Sequence, residues 1–238
     1  LLDPYVTRNR KILSDPKIVS HHIGEADAIF ISHSHWDHLA DIAAVAELTG
    51  AFIYGSLTTA NLCRAQGIPE KQIRIIETNS RVVLNDISVQ VFASLHKQPS
   101  SYTGYYKTVP PLPKSPEEYL EGGTFAFLFT FGETRILNLG SANFVMKELN
   151  GVTCDILLVS ISHRSDDFLP QLLTTVSTDH IIPCHFDALE GSLEKVTVRI
   201  DLDVFKAELE RIAPGLPYTI PHPLRSIVVD PNFQVRSK

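Results

Sequence analysis

The segment Ala-Ile-Phe-Ile-Ser-His-Ser-His-Trp-Asp-His-Leu, residues 28–39, joins a short apolar run to a cluster of histidine and aspartate side chains. The apolar, β-branched start of this segment predicts a buried strand over 28–32. Leu39–Leu48 carries apolar residues at helical spacing, and Gly50 just beyond it is typical of a helix end. The pattern therefore predicts a strand, a histidine-rich loop and a helix in direct succession.

The polar side chains of the loop have the spacing of metal ligands. His33 and His35 lie two residues apart on an extended chain, so both rings point to one side and can share an ion. Asp37 and His38 follow at the turn into the helix, and four ligands so close together suit two ions better than one. The alternative is a surface loop that is rich in histidine by coincidence, but the flanking strand and helix favour a metal site.

The ligand types also indicate the metal. Imidazole-rich sites with one carboxylate suit Zn²⁺ best, and the expected cofactor is one or two zinc ions. Mn²⁺, Fe²⁺ and Ni²⁺ remain alternatives, because metal selection in cells also depends on supply.

At Ser32–Leu39 the sequence resembles the metallo-β-lactamase superfamily, whose signature is His-x-His-x-Asp-His. The resemblance implies an α/β fold of the four-layer αββα sandwich type, with a metal site at one edge of two facing sheets. It extends over most of the chain and implies a single hydrolase domain over 1–238. The opening hairpin usual in the family is not recognisable, so we expect those first strands to be missing from this sequence.

The same resemblance implies the remaining ligands. His96, at the end of an alternating strand, matches the histidine that completes the first metal site, and His185 matches the one that completes the second. One departure concerns Ser141, which stands where the family usually has a metal-bridging aspartate. A hydroxyl is a weaker ligand than a carboxylate, so a mononuclear site, a hydroxide-joined dinuclear site and recruitment of another group all stay open. The groups available for recruitment are His163, Asp166 and Asp187.

The function implied is metal-dependent hydrolysis, in which hydroxide generated on the metal attacks a small ester, lactone or phosphodiester. Asp37 is the expected catalytic carboxylate, and His163 is a candidate to donate a proton or stabilise an oxyanion. His163 and Ser141 are the candidate substrate-binding groups. Two alternatives are a nuclease-like phosphodiesterase and, because of Ser141, a non-hydrolytic metal-binding or sensor protein.

Composition narrows the partners. The net charge of −6 and the absence of a basic run argue against nucleic acid as a partner, and no apolar stretch approaches membrane-spanning length. Three widely separated cysteines form a poor disulfide framework, which favours a cytoplasmic location. We therefore expect a small-molecule substrate, with the oligomeric state open and a homo-oligomer among the options.

Elsewhere, strand and helix patterns alternate along the chain. Residues 97–123 hold many prolines and no apolar period, which predicts a long loop that covers the site as a lid. Strands are predicted at 52–54, 73–76, 81–84, 87–91, 124–131, 134–139, 155–160 and 227–229, and helices from 56 to about 65 and at 142–149, 166–176 and 201–212.

Overall fold

The computed structural model describes residues 1–9, 14–229 and 235–237 of the protein. It divides into two compact units, of which the first comprises 1–78, 99–124 and 189–192 and the second 79–98, 125–188 and 193–238. Both units combine helices with a sheet, which confirms the predicted α/β class. The single domain over 1–238 stays a prediction.

The first unit is built on a parallel three-stranded sheet in the order β1-β2-β3. Its strands are β1 (Ala28–Phe30), β2 (Phe52–Gly55) and β3 (Ile73–Ile75), and its helices are α1 (Pro16–His22), α2 (Trp36–Leu39), α3 (Ile42–Thr49) and α4 (Leu57–Ala65). The largest fully buried side chains of its apolar core include Ile29, Ile31, Leu39, Ile42, Ile53, Leu62 and Tyr119.

Local sequence signals explain the boundaries of these helices. Gly50 ends α3 in the left-handed conformation, with φ 69°, which a residue without Cβ adopts freely. The Ser56 hydroxyl accepts a hydrogen bond from the Thr59 N–H and so caps α4. Asp15 caps α1 in the same way, and Pro16 occupies its first turn, although the sequence analysis did not identify this helix.

The second unit contains a six-stranded sheet in the order β4-β5-β6-β7-β8-β9. β4 (Arg81–Leu84) pairs antiparallel with β5 (Ile87–Ser94), β6 (Thr124–Phe131) pairs antiparallel with β7 (Thr134–Asn138), and β8 (Thr153–Ser160) and β9 (Ser177–Cys184) continue the sheet in parallel. The helices are α5 (Met146–Leu149), α6 (Phe168–Thr175) and α7 (Leu202–Ile212), and the hairpin of β10 (Ile227–Val229) and β11 (Val235–Ser237) forms a separate small sheet.

Two helix predictions differ from the structure. The helix predicted from Leu39 is two short helices, because residues 40 and 41 separate α2 from α3. The helix predicted over 142–149 begins only at Met146, since the Asn143 side chain instead bonds the Phe144 N–H and the His96 carbonyl. The other predicted elements are present, with ends shifted by a few residues.

The long segment after His96 has little regular structure apart from a 3₁₀ turn at Pro116–Glu118, as predicted. Tyr119 from this segment is 2% exposed and belongs to the core of the first unit. The Ser34 N–H also donates to the Glu121 carbonyl at 2.8 Å. At least this end of the segment is therefore part of the packed unit, and the lid role stays a prediction.

A buried carboxylate fixes the N-terminal segment to the first unit. Asp41 is fully buried and accepts hydrogen bonds from the Val6 N–H at 2.8 Å, the Thr7 N–H at 2.7 Å and the Thr7 hydroxyl at 2.5 Å. These three hydrogen bonds reach both carboxylate oxygens and offset the cost of burying this polar group. The segment that carries Asp3 is thereby held in place.

We expect Asp41→Ala to lower the free energy of unfolding by about 3 kcal/mol, because it leaves one buried and one partly buried backbone N–H group without an acceptor. Urea titration followed by circular dichroism measures this loss. The matched control is Glu47→Ala, which removes an exposed carboxylate from α3 and should change stability by less than about 0.5 kcal/mol. Equal stability of the two variants would show that Asp41 does not anchor the segment.

Candidate metal centre

The histidine-rich loop of the first unit is buried although it is polar. β1 ends at Phe30, α2 begins at Trp36, and the connecting residues Ser32 to His35 are each at most 5% exposed. The Ile31 N–H donates to the Tyr54 carbonyl, which continues the pairing of the parallel strands to the start of this loop. Buried polar side chains need partners, so their presence here calls for a specific arrangement.

The fold brings three imidazole rings together within this unit. The ring centroids of His33 and His35 are 4.7 Å apart, and those of His33 and His38 are 3.9 Å apart. Asp37, in the first turn of α2, has its Oδ2 3.6 Å from Nε2 of His38. The four residues of the predicted motif therefore form one compact group of nitrogen and oxygen donors.

Asp3 organises one side of this group. Its Oδ1 accepts the Ser32 N–H at 2.8 Å, and its Oδ2 accepts the Ser32 hydroxyl at 2.6 Å. The same Oδ2 lies 3.0 Å from Nδ1 of His38. The carboxylate therefore fixes the His38 ring through Nδ1 and leaves Nε2 facing Asp37. A carboxylate on the far nitrogen is the usual support of a metal-binding histidine.

The electrostatics of the group depend on its carboxylates. Burial alone would lower the pKa of His38, but the carboxylates of Asp3 and Asp37 outweigh it and raise the pKa to about 9. Burial lowers the pKa of His35, which favours its neutral, ligating form. The raised pKa therefore favours the protonated His38 ring, whose Nε2 faces the Asp37 carboxylate.

These observations fit a bound metal ion. The donors are imidazole nitrogens and a carboxylate, and the orienting carboxylate is in place. The raised pKa of His38, whose Nε2 lies 3.6 Å from the Asp37 carboxylate, indicates that the ring favours its protonated form and that this position favours positive charge. A metal that binds there has to displace this proton, so its affinity should increase with pH.

In the second unit, His96 and Ser141 lie at neighbouring strand ends. His96 follows β5 and is 8% exposed, and its carbonyl accepts from the Asn143 side chain at 3.4 Å. The Ser141 hydroxyl accepts the Lys97 N–H at 3.2 Å, and the Ser94 hydroxyl donates to the Leu139 carbonyl at 2.8 Å. Ser141 therefore ties the segment that carries His96 to the end of β7.

Three predicted residues follow the carboxyl ends of adjacent parallel strands. Ser141 comes after β7, His163 after β8 and His185 directly after β9, and the register pairs Ser160 with Cys184. His163 and His185 both have φ of +56°, an uncommon conformation for residues other than glycine that often occurs at functional sites. His163 is exposed and His185 half-buried.

The other candidates are less distinctive. Asp166 is exposed next to Ser165, and Asp187 forms a β-bridge with Val198. His21 and His22 lie in the last turn of α1. The sequence did not predict the roles of Asp3 and Asp41. Their hydrogen-bond partners lie 29 to 35 residues away along the chain, so no local pattern of spacing indicates these contacts.

Comparison with known proteins points to one family. Residues 1–196 match the model of the β-lactamase superfamily domain. A UPF0173 metal-dependent hydrolase of Carboxydothermus hydrogenoformans is 27% identical over 195 residues, which are 79% of this chain and 76% of that protein. A second one, from Myxococcus xanthus, is 34% identical over 93 residues, but the match covers only 39% of this chain and 29% of that protein.

A solved structure with the same fold is that of Igni18, a metallo hydrolase of Ignicoccus hospitalis. It aligns with a TM-score of 0.61 at 14% identity and covers 93% of this chain and 86% of that one. The likeness confirms the predicted fold class. None of the helices within the described ranges has the length and apolar character needed to cross a bilayer.

We predict that Asp3→Asn lowers the pKa of His38 in the chelator-treated protein well below 9, because the neutral amide no longer stabilises the imidazolium. Titration of the histidine resonances by NMR measures this value. The control is Glu25→Gln, which removes an exposed charge from the same unit and should leave the pKa of His38 unchanged.

The same contact has a consequence for stability. A histidine whose pKa is raised on folding stabilises the protein fully below pH 6.5, and this contribution is lost as the pH rises through 9. The chelated protein should therefore lose stability between pH 6.5 and 9.5, and Asp3→Asn should reduce the loss. An unaltered pH dependence in Asp3→Asn would contradict the assignment of the pair.

Proposed function

The chain belongs to the β-lactamase superfamily, and from this premise we propose that it is a metal-dependent hydrolase that acts on a small ester, lactone or phosphodiester. The observation that carries the proposal is the buried group of His33, His35 and His38, with His38 oriented by Asp3. The relatives named as metal-dependent hydrolases support it.

The proposed ligands are His33, His35 and His96 for one ion, and Asp37, His38 and His185 for a second. All six lie within the residues that match the family model. Zinc is the proposed metal because imidazole and carboxylate donors suit it best, with Mn²⁺, Fe²⁺ and Ni²⁺ as alternatives. His96 and His185 each follow the end of a strand in a well-ordered sheet, a setting that fixes a ligand with little loss of entropy.

The ion would act as a Lewis acid and lower the pKa of a water molecule from about 16 to about 7. The residues of the chain would supply the rest of the reaction. The Asp37 carboxylate would accept a hydrogen bond from the nucleophilic water and align it with the substrate. The Asp3 carboxylate would keep the proton of His38 on Nδ1, which leaves Nε2 as the donor atom.

His163 and Ser141 are proposed as the substrate-contacting groups. His163 follows β8 in an exposed, left-handed turn, where its ring can donate a proton to a leaving group. The Ser141 hydroxyl already accepts the Lys97 N–H, and its own proton remains available to a substrate oxygen.

A small substrate is favoured over nucleic acid, because the chain carries a net charge of −6. A cytoplasmic location is proposed with this role, because the three cysteines are widely separated along the chain and form a poor disulfide framework.

Ser141 favours a second candidate, a metal-binding or sensor protein without hydrolytic activity. The position that usually carries a bridging carboxylate has only a hydroxyl, so the site lacks one negative charge. Metal content and turnover separate the two functions.

We expect the purified chain to contain zinc by elemental analysis and to hydrolyse at least one member of a panel of lactones, aryl esters and phosphodiesters. Chelation should abolish turnover, and zinc should restore it. His33→Ala should lower metal affinity by more than the 10–100-fold typical of residues that only orient ligands. His21→Ala, an exposed histidine of the same unit, is the matched control. Tightly held metal without turnover on any substrate class would instead favour the sensor.

Ser141→Asp should increase the affinity for a second ion by about tenfold, because it supplies the missing anionic ligand. Ser141→Asn is the matched control, since it retains an acceptor for the Lys97 N–H but adds no charge. Isothermal titration with zinc measures both variants. Equal second-ion affinity in the two would show that the missing charge does not limit metal binding.

A further inference from the structure

A cavity of about 680 Å³ in the second unit has no role in the site described above. Its volume lies within the range of about 300–1,000 Å³ typical of small-molecule sites. Its lining combines apolar and charged side chains, and the apolar ones include Phe186, Val196, Val198, Leu202, Ile220 and Pro221. A cavity with this mixed lining favours a ligand that has both an apolar portion and a polar group.

The segment after β9 builds the cavity wall. The Phe186 carbonyl accepts the N–H groups of Arg199 at 2.8 Å and Ile200 at 3.0 Å, and the Ala188 N–H donates to the Thr197 carbonyl at 2.8 Å. Asp187 forms an antiparallel bridge with Val198. These bonds fold residues 196–200 back against Phe186, whose side chain is 7% exposed. The wall is therefore tied to the residue that directly follows His185.

The mouth of the cavity carries an excess of positive charge. Among the described residues, Lys195, Arg225 and His222 line it, and Glu194 is the one acidic residue beside them. Within the described ranges, neither Lys195 nor Arg225 has an ion-pair partner. Two cations beside one anion favour a negatively charged ligand, and this local charge is opposite to the net charge of the chain.

We propose that this cavity binds the apolar portion of an amphiphilic anion, whose carboxylate or phosphate group pairs with Lys195 and Arg225.

Binding to the full chain with its native metal tests the cavity directly. We expect decanoate or decyl phosphate, below micellar concentrations, to bind at least tenfold more tightly than acetate or inorganic phosphate, and also than decanol. Isothermal titration calorimetry measures these affinities, and comparison of decanoate with decyl phosphate identifies the preferred headgroup. Equal binding of the charged ligands with and without the apolar chain would overturn the proposal.

Two variants locate the binding. Val198→Asp puts a charge on the cavity wall, and Lys195→Ala/Arg225→Ala removes the cations, so each should weaken binding at least tenfold. Val198 is 52% exposed, and the melting temperature checks that its variant folds. Val83→Asp is the matched control, because Val83 is 64% exposed on β4 and does not line the cavity. If Val198→Asp binds like Val83→Asp, the ligand does not occupy this cavity.

Discussion

The contact between the Asp3 carboxylate and the His38 ring is the constraint on which the polar interior of the first unit depends. Three imidazole rings lie within a few ångströms of one another in the buried loop and the short helix that follows it. Burying these polar groups costs free energy unless each one has a hydrogen-bond or ionic partner. Asp3 accepts the N–H and hydroxyl of Ser32 and faces Nδ1 of His38. One carboxylate thereby fixes both the loop that carries His33 and His35 and the short helix that carries Asp37 and His38.

This arrangement gives the first unit a buried site with the character of a metal centre. The raised pKa of His38 reflects an electrostatic environment that favours positive charge between two carboxylates. A proton satisfies this preference only in part, because it bonds along one direction, whereas a divalent ion can accept electron pairs from several donors at once. The hydrogen bonds from residues 6 and 7 to Asp41 support this environment, because they hold in place the N-terminal segment that carries Asp3.

The sequence predicted the elements and the motif because both depend on neighbouring residues. Gly50 and Ser56 mark helix ends through their own backbone or side-chain chemistry, and His33 to His38 are close in space because they are close along the chain. Asp3 was missed because its partners lie 29 and more residues away. The helix predicted over 142–149 starts late for the same kind of reason: Asn143 and Ser141 bond to the segment around His96, which no local pattern reveals.

Anomalous X-ray scattering at the zinc absorption edge, from crystals of the full chain grown without added metal, tests the central claim most directly. The account predicts a peak about 2.0–2.1 Å from ring nitrogens of His33 and His35, with Asp3 still bound to Nδ1 of His38. Suppose that a crystal grown with excess zinc shows clear electron density for the rings of His33 and His35 but no anomalous peak near them. That result would contradict the assignment of this group as a metal site.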